Sequence, residues 1–206
     1  MQNTYTKHSE QPYASHTAYL EIAKAFDRLT YKSIYIFDCI QRKIEYISNH
    51  RFFLHNHTPE EIIEMGEGFF HTFIKTEDQP IVNQANEAGF AFYAALPESE
   101  RKSYTLAYNF HLVDKNQNTL LVNHRLTPLL ITNEGKIWKT LGMISLATNN
   151  SSGNITLTKD GDNSILKYDI EADQWIGHSK IALSEKKSRF FAFMPVGLQS
   201  MELLPS

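Results

Sequence analysis

Nine histidines and a single cysteine are the side chains most capable of chemistry in this sequence. His50, His55 and His57 sit close together, and an HxH spacing can hold zinc or copper when another ligand stands nearby. No cysteine or second histidine pair supplies that ligand, so the three read as loop histidines and no metal is expected. Cys39, the only thiol, excludes an internal disulfide and fits a reducing compartment. Acid–base work needs a carboxylate beside a histidine, and His111 with Asp114 is the pair the sequence offers. The acids Glu60-Glu61 and Glu77-Asp78 have another use, at helix starts. The chain has no Ser/His/Asp pattern, P-loop, GxGxxG or HExxH run. No catalytic residue is assigned, and an enzyme is not expected.

Binding is the better prospect. The 13 phenylalanines and 10 tyrosines are enough to line an apolar pocket. Tyr35, Phe37, Phe73, Phe92, Tyr108 and Phe110 are candidates for its walls. Asn109, His124 and Arg125 are candidates for the few polar groups that orient a ligand in such a place. An ordinary aromatic core accounts for most of the same rings. A small molecule is the expected ligand, and no cofactor is expected.

Composition sets the frame around those residues. At 206 residues, 42% hydrophobic and 21% charged, the chain has material for one domain with a real core plus an appendage. A net charge of -3 draws it to neither nucleic acid nor an anionic membrane. The opening residues are polar and no apolar run is long enough to span a bilayer. A cytoplasmic protein, most simply bacterial, is expected.

The elements follow from period and punctuation. Residues 1–15 read as loose. From Thr17 a helix is expected, with Tyr19, Ile22, Phe26 and Leu29 in a narrow seam. That seam lies on its own domain or makes a homodimer contact. Ser33–Asp38 and Lys43–Ser48 read as a hairpin. Thr58-Pro59-Glu60-Glu61 is a capping box opening a short helix, and residues 67–75 form a second short piece. Thr76-Glu77-Asp78-Gln79 reads as another capping box, starting the longest helix, to about Leu96. On it Val82, Ala85, Ala88, Gly89, Phe92 and Leu96 share a side. Three long antiparallel strands follow, Tyr104–Asp114, Thr119–Thr132 and Lys136–Thr148, joined by short turns. In the first, Leu106, Tyr108, Phe110 and Leu112 share a face opposite Ala107, Asn109, His111 and Val113. The last strand is apolar on both faces, so both should be covered. After a linker at 149–154, a small extra β unit is expected at 155–159, 164–169 and 174–177.

This order, strand-strand, short helices, long helix, three long strands, resembles the PAS fold over roughly Tyr31–Thr148. Phe73-Ile74-Lys75-Thr76-Glu77-Asp78 resembles the family's hxHPxD entry to its long helix, with Thr76-Glu77 replacing His-Pro. Arg125-Leu126-Thr127-Pro128 resembles its R-x-x-P stretch, and Gly135 and Gly142 match its paired glycines. The implied fold class is α+β: an antiparallel sheet with helices on one face, an N-terminal helix and a short C-terminal helical segment. If the resemblance extended to haem-binding members, His71 and His111 would be the ligand candidates. The flavin-attaching members carry their cysteine in a helical Asn-Cys-Arg-Phe run, which Cys39 does not match.

The end of the chain resembles the start of a LuxR-type helix-turn-helix. Leu183, Ser184, Phe190, Phe191, Phe193, Gly197, Glu202 and Leu203 fall in register, with Lys186 in place of Arg. Lys187 and Arg189 stand where acids are usual, Pro195 breaks the helix pattern, and Pro205-Ser206 follow where the recognition helix would begin. The expected organisation is therefore a tail and seam helix at 1–30, a PAS-like sensor at 31–148, a β-rich extension at 149–182 and a partial helix-turn-helix at 183–206. It implies a homodimeric sensor that binds a small molecule, with DNA reached only through the incomplete helix-turn-helix. The alternatives are an interaction module with a filled core and a cystatin-like α+β enzyme.

Overall fold

The computed structural model describes residues 14–50, 54, 57–66, 68–114, 117–162, 164–179 and 191–192. Helix α1 spans Ala14–Leu29 and leads into the hairpin of β1 (Ser33–Asp38) and β2 (Lys43–Ile47). Asp38 shapes the hairpin turn, because its Oδ1 accepts from the backbone N–H of Ile40 at 2.9 Å and of Gln41 at 2.8 Å. Helix α2 (Pro59–Met65) starts on the expected capping box: Thr58 accepts from the Glu61 N–H, and Glu61 accepts from the Thr58 N–H. Helix α3 (Gly68–Phe73) and a 3-10 turn (Thr76–Asp78) precede the long helix α4 (Gln79–Ala95).

The second expected capping box does not form. Asp78 makes no side-chain cap bond to α4. Its Oδ2 instead accepts from the backbone N–H of His111 at 2.6 Å and lies 2.7 Å from His111 Nδ1. The carboxylate thus ties the start of α4 to the sheet, a use that spacing along the chain does not reveal.

Strands β3 (Tyr104–Val113), β4 (Thr119–Ile131) and β5 (Ile137–Leu146) are the three expected long strands. β6 (Gly153–Lys159), β7 (Ser164–Asp169) and β8 (Gln174–Ser179) follow, with a short β9 (Phe191–Ala192). All belong to one antiparallel sheet in the order β2-β1-β5-β4-β3-β6-β7-β8-β9. The β extension is therefore no separate unit, since β6 pairs directly with β3. Phe191–Ala192 pairs with Gly177 and Ile176 as strand, where the helix-turn-helix resemblance implied helix. Residues 183–190 and 193–206 lie outside the described residues, as does the tail at 1–13.

Alternation along β3 places Leu106, Tyr108, Phe110 and Leu112 inward, all buried beneath the helices. They meet Ile62, Phe69, Phe73, Val82, Ala85, Phe92 and Tyr93 in one core. Tyr93 pins α4 to the sheet, since its hydroxyl donates to the Leu126 carbonyl and accepts from the Leu106 N–H, each at 3.1 Å. Gly89 allows that closeness: a Cβ there would lie 2.5 Å from Leu106 Cδ2. On the other face α1 covers Ile34 and Ile36, with Leu141 and Met143 packed alongside. The two apolar faces are thus covered within one chain, by α2–α4 on one side and α1 on the other.

Candidate functional site

Between α3, α4 and the inner face of β1, β3 and β4 lies a cavity of about 200 Å³. Tyr35, Phe37, Phe70, Phe90, Tyr108 and Leu126 supply its apolar wall. Its polar lining is Gln79, Asn83 and Asn86 from α4, Thr140 from β5, and His124 from β4. None of the described lining residues carries a formal charge at neutral pH.

His124 is the chemical centre of this space. It is 2% exposed, and its Nε2 lies 2.6 Å from the Tyr35 hydroxyl. The Tyr35 ring lies nearly parallel to the imidazole, side by side with it at a centroid distance of 5.8 Å, and Tyr108 meets it edge-on at 4.8 Å. The Tyr108 hydroxyl donates to Asn86 Oδ1 at 2.9 Å, tying the sheet wall to α4. His124 Nδ1 is buried with no hydrogen-bond partner among the described residues. Burial drives the imidazole pKa from 6.5 to about 3. Desolvation also lifts the Tyr35 and Tyr108 hydroxyls well above their ordinary range. The pair is therefore uncharged at neutral pH.

That shift has a pH signature. The unfolded chain takes up a proton at this histidine near pH 6.5, whereas the folded chain resists until about pH 3. Stability is then fullest above pH 6.5 and falls as pH drops toward 3, by about 1.4 kcal/mol per pH unit from this group. Urea midpoints should decline between pH 6.5 and pH 5, and a His124→Gln variant should flatten that slope. A parent protein level over this interval would mean that His124 is not held neutral.

Face parity sorts the sequence candidates. Tyr35, Phe37, Tyr108 and His124 come together around the cavity. Phe110 is buried behind His124, with ring centroids 6.0 Å apart. Phe73 packs on Phe69 and His57, and Phe92 on Tyr104 and Trp175, so both belong to the surrounding core. Asn109 and Arg125 are a correction. They sit on the opposite face of the sheet and line an open groove of about 830 Å³. There Asn123 Nδ2 donates to Asn109 Oδ1 at 2.8 Å, and Arg125 Nε to Asn123 Oδ1 at 3.3 Å. The groove is larger and more polar in its lining, and both it and the smaller, aromatic-walled cavity open to solvent.

The polar groups that sequence reasoning missed are Thr140 on β5 and, on α4, Gln79, Asn83 and Asn86. The three amides form a pattern. They recur at i, i+4 and i+7, a stripe beside the packing stripe of Val82, Ala85, Gly89 and Phe92. Amides repeated at that spacing next to an apolar seam were the available signal.

The other expected chemistry does not assemble. His111 pairs with Asp78, while Asp114 accepts from the backbone N–H and side chain of Asn118, so the His111–Asp114 pair is not formed. His57 lies 3.1 Å from Glu61, and His50 Nε2 lies 3.0 Å from Asp27 Oδ1, off hydrogen-bond geometry. His55 and the His71 side chain lie outside the described residues. Of the two haem candidates, His111 is held by Asp78 through Nδ1 and does not line the cavity, and the His71 side chain lies outside the described residues. A flavin does not fit. Cys39 does not line the space, and burial raises its thiol to about 11. A 200 Å³ cavity is also small for a three-ring system, given that about 150 Å³ accommodates benzene.

The seam of α1 divides in the structure. Ile22, Phe26 and Leu29 face solvent, 69%, 48% and 83% exposed. Tyr19 instead turns toward its own sheet, where its hydroxyl donates to Glu45 at 2.7 Å. Beside it lies a buried charge cluster: Lys139 Nζ reaches Asp38 Oδ2 at 2.8 Å and Glu45 Oε1 at 2.7 Å, and Trp138 Nε1 donates to Asp38 Oδ2.

No protein-family model matches this sequence, and no curated protein matches it. Solved structures do. The PAS domain of a protein from Colwellia psychrerythraea is 16% identical, with a TM-score of 0.45 over 65% of this chain and 99% of that one. A structure described as a flavin analogue study of a light-oxygen-voltage domain is 16% identical, with a TM-score of 0.44 over 63% and 86%. The N-terminal domain of a diguanylate cyclase with PAS/PAC sensor from Marinobacter aquaeolei is 11% identical, with a TM-score of 0.42 over 56% and 94%. What decides the fold is the chain's own arrangement: β1 and β2, then helices across one face, then β3–β5 closing the same antiparallel sheet. The fold is PAS-like. In this PAS-like domain the cavity lies between sheet and helices, and the sheet runs on past β3 into the β6–β8 extension. No helix among the described residues is long and apolar enough to cross a membrane.

Proposed function

We propose that this chain is the sensing and dimerising region of a bacterial LuxR-type transcription regulator, working in the cytoplasm by binding a small molecule without turnover. The observation that carries this reading is the aromatic-walled cavity with the Tyr35–His124 pair at its edge. A filled-core interaction module has no use for it, since a void and an unpartnered buried nitrogen both reduce stability. The exposed Ile22, Phe26 and Leu29 give α1 an apolar stripe for a second copy of the chain. Helix α4 supports a route for output. One side lines the cavity through Asn83 and Asn86, and another packs Phe92 on Trp175 of β8, with Gln84 Nε2 donating to the Ile170 carbonyl. A ligand that favours one position of α4 thereby biases β7, β8 and the residues after them. The regulator assignment rests on the sequence register of Leu183–Leu203, within which Phe191–Ala192 is strand and not helix, and DNA binding with sequence preference by this chain is not expected.

Native mass spectrometry of the purified chain tests this reading. The expected spectrum shows a dimer, and ligand from the expression host appears as a small adduct lost on denaturation. Small-molecule extracts should raise the melting temperature. A monomer with no adduct and no thermal response to such extracts would remove the sensor reading. A sequence-specific gel shift by the isolated chain at physiological salt would overturn the expectation about DNA.

A further inference from the structure

The sensor reading leaves open what kind of molecule enters, and the cavity wall narrows it. Resting on that reading, we propose that the cavity selects an uncharged molecule of single-ring size bearing a hydrogen-bonding group, and rejects charged molecules of the same shape. The size follows from the volume. About 150 Å³ holds benzene, so 200 Å³ holds a ring with a small polar substituent.

The charge selection follows from what surrounds the space. Among the described residues, no Asp, Glu, Lys or Arg lines it. The buried acids Asp38 and Asp78 do not line it and are paired with Lys139 and His111. His124 resists protonation, so it offers no cation to an anionic guest. The cavity opens to solvent beside the exposed Asn83, so the penalty falls on a charge carried inward to the Tyr35–His124 end, where it loses water without meeting a counter-charge, whereas a neutral amide or carbonyl meets hydrogen-bonding partners there.

Those partners are adaptable. In one arrangement the Tyr35 hydroxyl donates to His124 Nε2 and a proton sits on Nδ1. In the other, His124 Nε2–H donates to the Tyr35 oxygen and the tyrosine proton is freed for an acceptor. Asn86 holds the Tyr108 hydroxyl through Oδ1 and keeps its amide N–H groups for a guest. The wall can therefore meet a neutral guest as donor or acceptor, but it cannot neutralise an ion.

Benzamide, benzoate and benzamidinium, which are nearly isosteric and differ in charge, make the test. Titrated at pH 7 into the full chain and followed by calorimetry and by the side-chain 15N signals of His124, benzamide should bind and move those signals without producing an imidazolium. Benzoate and benzamidinium should bind roughly a hundredfold more weakly, or worse. Asn86→Asp preserves the acceptor for Tyr108 and adds one negative charge, so it should shift preference toward benzamidinium. Benzoate or benzamidinium binding as tightly as benzamide in the parent, with the His124 signals moving, would overturn the selectivity and leave the sensor reading standing. So would an Asn86→Asp variant that folds and keeps the parent's preference. If none of the three binds, the proposed size and charge selection falls, and the sensor reading is decided separately by the mass spectrum and the thermal response to extracts.

Discussion

Lys139→Met is expected to destabilise the fold by about 3–5 kcal/mol, the usual result of removing one member of a buried ion pair. Lys139 and Asp38 are each 1% exposed, and Lys139 holds Asp38 and Glu45 together. Without the ammonium, two carboxylates remain near one another with little water to solvate them. The same loss frees Glu45 and loosens its bond from Tyr19, so α1 should lose protection from hydrogen exchange ahead of the rest of the domain. Urea unfolding checks the magnitude: the midpoint should fall while the slope stays constant. A double variant, Lys139→Met with Asp38→Asn, should recover part of the loss, because it removes a stranded charge. A midpoint within experimental error of the parent would mean that the cluster is solvated.

The pH dependence of this cluster has two limits of opposite sign. Burial alone would raise the Asp38 carboxyl, but hydrogen bonds from Lys139 and from the Gln41 and Ile40 N–H groups outweigh it and hold it below its ordinary range. That contribution is present above the unfolded carboxylate pKa and is lost as pH falls through the depressed folded value. Burial would lower Lys139, yet its bonds to Asp38 and Glu45 raise it. Its contribution is complete below the unfolded lysine pKa and is lost as pH rises through the raised folded value. Between those limits the intact cluster adds no slope of its own, whereas in Lys139→Met the stranded carboxylates favour protonation and should offset part of the decline below pH 6.5 assigned to His124.

Gly142→Ala is the second large effect. Tyr35 and Gly142 are cross-strand partners, and the tyrosine ring lies over the glycine. A Cβ at 142 would stand 2.1 Å from Tyr35 Cζ and 2.6 Å from its hydroxyl oxygen. Tyr35 is 4% exposed, so its ring cannot swing out to solvent and must push into the cavity or strain the strand pair. Overpacking of this kind costs about 1–3 kcal/mol, and the lost bond to His124 adds about 1 kcal/mol. Thermal unfolding should show the loss, and ligand binding should fail beyond what instability explains. Combining Gly142→Ala with Tyr35→Leu should be milder than the sum of the two single changes, because the clash is shared. Strict additivity, or an unaffected melting temperature, would show that the ring has room to move.

Gly142 illustrates how far the sequence could be read. Its place in a PAS-like glycine pattern marked it as special, but the reason is a ring more than a hundred positions earlier in the chain. The strands were legible because their alternation is local: Leu106, Tyr108, Phe110 and Leu112 have to share a face whatever else packs on it. The same parity already set Asn109 and Arg125 apart from His124, and taking them as one polar set ignored it. The Thr58 capping box was legible because donor and acceptor lie within one turn. The one at Thr76 was not, because Thr76–Asp78 wind into a 3-10 turn and the long helix starts only at Gln79, with the Asp78 carboxylate tied to His111 on β3. The seam of α1 looked uniform until Tyr19 met Glu45 on β2.

By itself, then, the sequence determined the α+β class, the element order, the two-faced burial of the sheet and the supply of aromatic side chains, all consequences of period and neighbouring residues. Only the tertiary structure decided that a cavity remains among those rings, that His124 sits in it uncharged against Tyr35, that the β extension joins the same sheet, and that Lys139 is buried between two acids. Each depends on groups far apart in the chain meeting where water is excluded. There, desolvation and hydrogen-bond partners, not residue type, fix protonation, packing and the space left for a ligand.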